Sequence, residues 1–321
     1  MISVAICTYN NAAKLAVALE SLQDMVCPPT LDYEILVIDN NSSDGTKAVV
    51  EKYGRTWGPR LRYIFEANQG LSHARNRAMK EAAGDVISYV DDDIKADAHW
   101  LSAIAEAFVK YPDAAVVGGR SYLVFPSDPP VWLSEKCQLL LSRLDYGDQA
   151  IVGTDQDLFG LNLSVRKDWL ARVGGFDTSL GRRGRSLVSG EESDLLKRIR
   201  ALGGMAVYEP AAVVGHIVPP ERMKIRWFLR RFFCAGKENL TTDWKEGLAV
   251  DSVWQAVIHA GRCTGSIFKS IVFGDLSQKT LVDRLLMVAA ALGGLDARVR
   301  LTFADGREER KSHVANREPS A

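Results

Sequence analysis

The chain of 321 residues has no CxxC pair: its five cysteines, Cys7, Cys27, Cys137, Cys234 and Cys263, are scattered and odd in number. That excludes a zinc knuckle or a disulfide framework and makes a reducing compartment the simplest setting. It has no net charge, with 40 basic against 40 acidic residues, which argues against a nucleic-acid binder that works through a bulk basic surface. No run approaches the roughly 20 apolar residues that span a bilayer; the longest tract, 285–295, lies between Arg284 and Asp296 and is interrupted by glycines. No basic segment precedes the first apolar residues, so no signal peptide is read. The expected protein is therefore soluble or peripheral, cytoplasmic or at the inner face of a membrane. Thr8-Tyr9-Asn10-Asn11, after the first apolar run, contains no glycine, so a Gly-rich phosphate loop is missing there. No internal repeat is visible.

What is present is alternation. Apolar, β-branched runs at 2–7, 33–38, 61–65, 86–90 and 114–118 predict strands. Between them, 12–22, 43–53, 72–83 and 97–111 carry helical spacing, with Ser43 or Asp44 as the cap of the second helix. Such alternation predicts an α/β fold with a mostly parallel sheet flanked by helices. Ligands of these sheets sit at the carboxyl ends of the strands, where Asn10, Asp39, Asn68 and Asp91 fall. Beyond 120 the pattern loosens. It predicts a proline-rich loop at 125–130, a strand at 160–165, a helix at 167–173 closed by Gly174-Gly175, and a mobile loop at 182–190. A helix at 191–202, a strand at 207–214 broken by Pro210, and helices from 222 onward follow.

Asp91-Asp92-Asp93 aims three carboxylates at one point from a strand end. Hard divalent cations take such oxygen ligands, commonly one or two carboxylates plus substrate phosphates. A solvated acidic turn is the plain alternative. Asp39 precedes the cap of its helix and is free to accept from a ligand N–H. Arg75, in the first turn of a helix near the same edge, suits an anionic ligand or compensates the acids. His73 reads as a polar surface or capping residue. His216 follows a strand and reads as a buried histidine or a ligand acceptable to Mn²⁺. Glu191, Glu192 and Asp194 open a helix after the loop. They either complement the helix dipole or supply a general base, with Glu192 preferred and Glu191 second.

With Val4-Ala5-Ile6-Cys7-Thr8-Tyr9-Asn10, Val37-Ile38-Asp39-Asn40-Asn41-Ser42-Ser43-Asp44-Gly45-Thr46, Asn68-Gln69-Gly70, Ala74-Arg75-Asn76 and Asp91-Asp92-Asp93 in order, followed by Gly160-Leu161-Asn162, Gly174-Gly175-Phe176-Asp177, Gly190-Glu191-Glu192-Ser193-Asp194-Leu195 and His216, the chain resembles the inverting, nucleotide-sugar-dependent glycosyltransferases of family 2 over about 1–235. The resemblance implies a Rossmann-like GT-A fold and a metal-dependent hexosyl transfer from a nucleoside-diphosphate sugar, UDP-linked, with Mn²⁺ or Mg²⁺ as cofactor. It implies that Tyr9 stacks on the base and that Thr8, Asp39 and Arg75 bind the nucleotide. Asp91 would contact the ribose or a metal-bound water, and Asp92 the donor sugar. Asp93 and His216 would hold the metal, Asn162 and Asp194 would lie near the sugar or acceptor, and the base would come from Glu191-Glu192. The family's commoner pair is Glu-Asp with Asp as base; here Glu192 keeps the carboxylate with one more methylene.

The implied organisation is a catalytic domain at 1–235, with a nucleotide half to about 120 and an acceptor half at 121–220. A helical region at 236–306 and a disordered tail at 307–321 follow. Lys224-Ile225-Arg226-Trp227-Phe228-Leu229-Arg230-Arg231-Phe232-Phe233 mixes cations with aromatics, so it either packs on the domain or lies in a membrane interface. With the apolar stretches 266–273 and 281–295, it favours peripheral membrane contact and a lipid-linked or growing glycan acceptor, as in surface polysaccharide synthesis. Arg226-Trp227 is similar to a motif of processive members, but Met223 stands where their Gln would be, and no helix spans a membrane. The competing expectations are a nucleotidyltransferase of the sugar-nucleotide pyrophosphorylase kind, disfavoured by the missing glycine loop, and a non-catalytic nucleotide-sugar-binding protein, disfavoured by the intact acidic set.

Overall fold

The structure is a computed structural model and describes residues 1–155, 157–184, 189–245, 258, 261–262, 264 and 277–315. The chain forms two compact units, Met1–Ser127 with Gln138–Pro219, and Asp128–Cys137 with Pro220–Ala321.

The first unit is built on a sheet whose opening strands, β1 (Ile2–Thr8), β2 (Tyr33–Asp39), β3 (Leu61–Phe65) and β4 (Val86–Asp91), all run parallel in the order β3-β2-β1-β4. They are apolar on both faces because both are covered. Ile2, Val4, Ile6, Ile35 and Val37 pack on one side with Leu15, Leu19 and Leu22 of α1 (Ala12–Gln23) and with Trp100 and Ile104 of α4 (Trp100–Lys110). Ala5, Leu36, Ile38, Ile87 and Tyr89 pack on the other with Ala74 and Ala78 of α3 (Leu71–Glu81). The second helix, α2 (Thr46–Trp57), joins β2 to β3. Parallel strands joined by helices leave Thr8, Asp39 and Asp91 at one edge.

After β4 the chain turns through Asp92-Asp93 into a three-residue strand, β5 (Ile94–Ala96), which the sequence pattern does not predict. Following α4 come β6 (Ala114–Val124), α5 (Glu135–Leu140), β7 (Ile151–Val152), β8 (Asn162–Arg166), α6 (Lys167–Val173), α7 (Glu191–Ala201) and β9 (Met205–Ile217). The second half of the sheet is mixed: β8 runs antiparallel between β4 and β6, β9 lies parallel to β6, and β5 and β7 pair antiparallel to β9. As expected, α6 stops at Gly174, which takes the left-handed conformation at φ 79°. Pro210 lies within β9 and does not end it. The β6–β9 register slips between Gly119 and Arg120, so that Gly119 faces Glu209 and Arg120 faces Val213. The bulged backbone comes so close that a Cβ on Gly119 would collide with the Ala212 carbonyl.

In the second unit, α8 (Ile225–Lys245) packs on α9 (Gln278–Ala315). A Cβ on Gly236 would strike the Ala290 carbonyl and one on Gly293 the Phe233 carbonyl. The two helices thus run antiparallel with their backbones in near contact. Phe228 is buried edge-on against Trp132 and Trp227, and Ser134 Oγ donates to Asp283 at 2.6 Å. The apolar tract 281–295 lies in α9, and this helix runs on through the charged segment to Ala315. Residues 316–321 and the stretch 266–273 lie outside the described residues. No helix among the described residues is long and apolar enough to cross a membrane.

Candidate active site

The strand-end loops are sewn together by short amide and carboxylate side chains. Asn10, at φ 50°, donates its N–H to Ser42 Oγ (2.9 Å), and its Oδ1 accepts from Ser43 N (2.7 Å). The second helix starts after Gly45 rather than at Ser43 or Asp44. Asp44 instead ties two helix starts, accepting from Ala12 N at 3.0 Å and Thr46 N at 3.1 Å. Asn40 binds the next loop, donating to the Asn68 carbonyl and accepting from Gly70 N, both at 2.7 Å. Asp39 is buried, and its oxygens accept from Ser42 N (2.9 Å) and Tyr63 Oη (2.7 Å). Burial, then the hydrogen bond and charge of Asp39, push the Tyr63 phenol up to about 12. Tyr9 stands out at 39 % exposure.

Asp92 is held from β1 and the start of α1: Thr8 Oγ1 and Asn11 Nδ2 each donate to one of its oxygens at 2.6 Å. Burial and the charge of Asp93 push its carboxyl up to about 7 against those two hydrogen bonds. Asp93 meets His216 through the β5–β9 ladder. Ile94 pairs with His216, and Ile217 N donates to the Asp93 carbonyl at 2.8 Å. His216 Nε2 then lies 3.5 Å from Asp93 Oδ1. Its Nδ1 is 2.6 Å from the Leu141 carbonyl, which only accepts, so Nδ1 carries the proton and Nε2 faces the carboxylate. A backbone acceptor on the far nitrogen is the usual way a ligand imidazole is oriented. Among the described residues no group of three or more His, Cys, Asp or Glu side chains could hold a metal ion. An imidazole, a carboxylate and an acid-rich surround still fit a Mn²⁺ or Mg²⁺ that takes its other ligands from water and substrate phosphates.

Arg75 does not sit at the surface facing a ligand. It is 3 % exposed, stacked over Phe176 at 5.3 Å, with Gly160 passing so close that a Cβ there would collide with the guanidinium. Its Nη1 donates to Glu191 Oε1 at 2.8 Å and lies 3.9 Å from Glu192 Oε2, while Nη2 is 3.7 Å from Asp91 Oδ1. One buried cation therefore joins the acid cluster of β4 to the carboxylates of α7. The loop between α6 and α7 is fastened over the start of α3: Asn76 exchanges hydrogen bonds with Phe176, Ser72 Oγ donates to the Leu180 carbonyl, Leu71 N to Arg182 and Arg183 Nε to Gln69. Residues 185–188 of the segment expected to be mobile lie outside the described residues. His73 keeps to the surface beside Arg183. The two glutamates differ in environment: the Glu191 side chain is 4 % exposed and ion-paired, that of Glu192 21 % exposed. Burial, then the charge of Glu191, push Glu192 up to about 7, with Arg75 opposing.

Two expected ligand contacts are otherwise engaged. The Asn162 amide is spent on the framework, its Oδ1 accepting from Trp100 Nε1 (2.8 Å) and its Nδ2 donating to the carbonyls of Ala212 (2.8 Å) and Arg120 (3.1 Å). It fills the bulge of β9 upstream of His216, so its effect on the site runs through strand geometry. Asp194 is clamped by Arg198 at 2.7 Å, and Arg198 also donates to the Val173 carbonyl, which ties α7 to α6. Asn162→Ala is expected to destabilise the fold by about 2–4 kcal/mol by orphaning the buried Trp100 N–H and the bulge carbonyls. Urea unfolding measures this, and the acceptor KM of the folded variant should stay within about two-fold; a large KM change at full stability would return Asn162 to the sugar. The sequence offers no signal for the roles of Asn11, Asn40 or Tyr63, whose partners lie far along the chain.

Comparison with known proteins adds an independent line. A family model described as glycosyl transferase family 2 matches residues 3–174, more than half of the chain. A glucosyl-dolichyl phosphate glucuronosyltransferase of Haloferax volcanii is 24 % identical over 75 % of this chain and 77 % of its own. A succinoglycan biosynthesis protein of Rhizobium meliloti is 27 % identical over 74 % and 73 %. A mannosyltransferase from Pyrobaculum calidifontis, solved in complex with GDP-Man and Mn²⁺, superposes with a TM-score of 0.62 at 19 % identity, covering 92 % of this chain and 86 % of that one.

Proposed function

Because the chain belongs to glycosyl transferase family 2 and has the GT-A fold, we propose that it transfers a sugar from a nucleoside-diphosphate donor, UDP-linked, to a hydroxyl of a glycan or lipid-linked acceptor, with inversion at the anomeric carbon. The observation that carries this reading is the Arg75 bridge, which sets a carboxylate of raised pKa beside the acid cluster at the sheet edge. In this reading Tyr9 stacks on the base from its exposed position, and Asp39, fixed by Ser42 and Tyr63, accepts from the base edge. Asp91 contacts the ribose. Asp92, fixed by Thr8 and Asn11, contacts the donor sugar. Asp93 and His216 would hold the divalent ion, which would supply positive charge to neutralise the leaving diphosphate.

Glu192 is the base. It is the more open of the pair, and its pKa near 7 suits proton transfer at neutral pH. It removes the acceptor hydroxyl proton as that oxygen bonds to the anomeric carbon. The bond from that carbon to the phosphate oxygen breaks on the opposite face, and its electron pair leaves with the diphosphate. Glu191, ion-paired with Arg75, positions Glu192 through their shared helix turn. A glycan or lipid-linked acceptor is supported by the names of the relatives above, and the exposed Arg226 and Arg230 at the start of α8 suit peripheral contact with an anionic membrane.

A panel of UDP, GDP and TDP sugars screened for metal-dependent thermal stabilisation tests the donor class. NMR of the product anomer tests inversion, and a retained configuration would refute it. Chelation with EDTA is expected to abolish transfer and added Mn²⁺ to restore it, while Asp93→Asn loses at least about 100-fold in rate and is not rescued by excess Mn²⁺. Undiminished transfer after chelation would remove the metal from this scheme.

A further inference from the structure

The mechanism above makes no use of Lys14, yet this residue touches the centre of the site. Its Nζ lies 3.5 Å from Asp93 Oδ2, while His216 Nε2 lies 3.5 Å from Oδ1 of the same carboxylate. Each oxygen of one nearly buried carboxylate thus faces a different nitrogen. Lys14 is placed by more than its own flexible stem. Asn11, the residue just before α1, is bonded to Asp92, and Ser21 further along α1 accepts from Ala96 N of β5. The helix is therefore fastened at both ends to the strand and turn that carry Asp93, and the Lys14 side chain is 28 % exposed.

We infer that Lys14 is a resident cation of the donor site: it binds the diphosphate of the nucleotide alongside the metal, and the same charge weakens metal binding when no nucleotide is present. This rests on the reading that Asp93 and His216 hold the ion. The physical basis is the sign of the charges. A divalent ion held by Asp93 and His216 would share the Asp93 carboxylate with the Lys14 ammonium, and the two positive charges would repel each other, so metal alone would bind less well. A nucleoside diphosphate carries enough negative charge to satisfy both, and the repulsion becomes joint attraction. Lysine serves here as a compact point charge, as it does at many phosphate sites.

The signature is a pair of opposite effects from one substitution. Mn²⁺ binding to the full chain is read by electron paramagnetic resonance of the free ion. UDP and GDP binding at saturating Mn²⁺ is read by calorimetry. Lys14→Met is expected to bind Mn²⁺ alone about three- to five-fold more tightly and the nucleotide about ten-fold more weakly. Lys14→Arg, which keeps the charge, is expected to stay within about two-fold of wild type in both, and circular dichroism checks that each variant is folded. Unchanged nucleotide affinity in Lys14→Met, weaker Mn²⁺ binding in it, or an Arg variant that behaves like the Met variant would each overturn the role of Lys14 while leaving the site reading intact. Failure of the wild-type chain to bind either nucleotide with Mn²⁺ would instead overturn the site reading, and the role of Lys14 with it.

Discussion

Glu192→Gln is expected to slow sugar transfer by about two to four orders of magnitude, with nucleotide affinity changed by less than about two-fold. The substitution keeps the size of the side chain and removes only its ability to take a proton. The Glu192 side chain, 21 % exposed, faces Glu191 on its own helix and Arg75 from α3, which in turn reaches Asp91 on β4. Burial and the Glu191 charge raise its pKa to about 7 from an ordinary 4.5. A base must be ionised to act, so kcat/KM should rise with pH up to about 7 and level off above it, and the Gln variant should lose that limb. The stability sign runs the other way. A carboxyl whose pKa is raised on folding contributes stability that is complete below about 4.5 and is lost as pH rises through about 7. Glu192→Gln should therefore be at least as stable as wild type at pH 8. Single-turnover rates and urea unfolding measure the two effects, and a residual rate above about a tenth of wild type would exclude Glu192 as the base.

Arg75→Met is expected to cost about 3–5 kcal/mol of unfolding free energy at neutral pH, because it strands the Glu191 carboxylate in the interior without a counter-charge. Oε2 of Glu191 and of Glu192 accepts no hydrogen bond among the described residues, so little else offsets the loss. Arg75 also lowers the Glu192 pKa. Its removal should therefore move the rising limb of the pH profile to higher pH as well as reduce the maximum. Lysine at this position restores the charge but not the fork that reaches Asp91 on one side and Glu191 on the other, and should be intermediate. The double variant Arg75→Met with Glu191→Met should recover much of the stability, since both partners are replaced by apolar groups, and little of the activity. A loss below about 1 kcal/mol in the single variant would show that Arg75 is not the buried counter-ion.

The alternation of strand and helix through the first 118 residues was legible in the sequence because its causes are local: β-branched runs of strand length and apolar spacing at 3.6 residues; the left-handed Gly174 that closes α6 further on is equally local. The same holds for the polar strand ends and for the ordered motifs that carry the family resemblance. Less legible was anything set by pairing across the chain. Three residues after Asp93 are too few to read as a strand, yet β5 is what lays Ile94 beside His216. Arg75 looked like a cation facing an anion, and its burial depends on a loop folded over α3 and on the bare Gly160 beside it. Asn162 looked like a polar group at a strand end, and the bulge that consumes its amide arises only from the β6–β9 register.

By itself, then, the sequence determined the order of strands and helices as far as β4 and the sheet edge at which the polar strand ends and the acids gather, since spacing and side-chain type act within a few residues. The tertiary structure alone decided which of those groups meet: Asp93 with His216 and Lys14, Asp91 with Glu191 and Glu192 through Arg75. Register and loop closure sum many weak packing preferences over distant segments, and no single stretch of chain carries that sum.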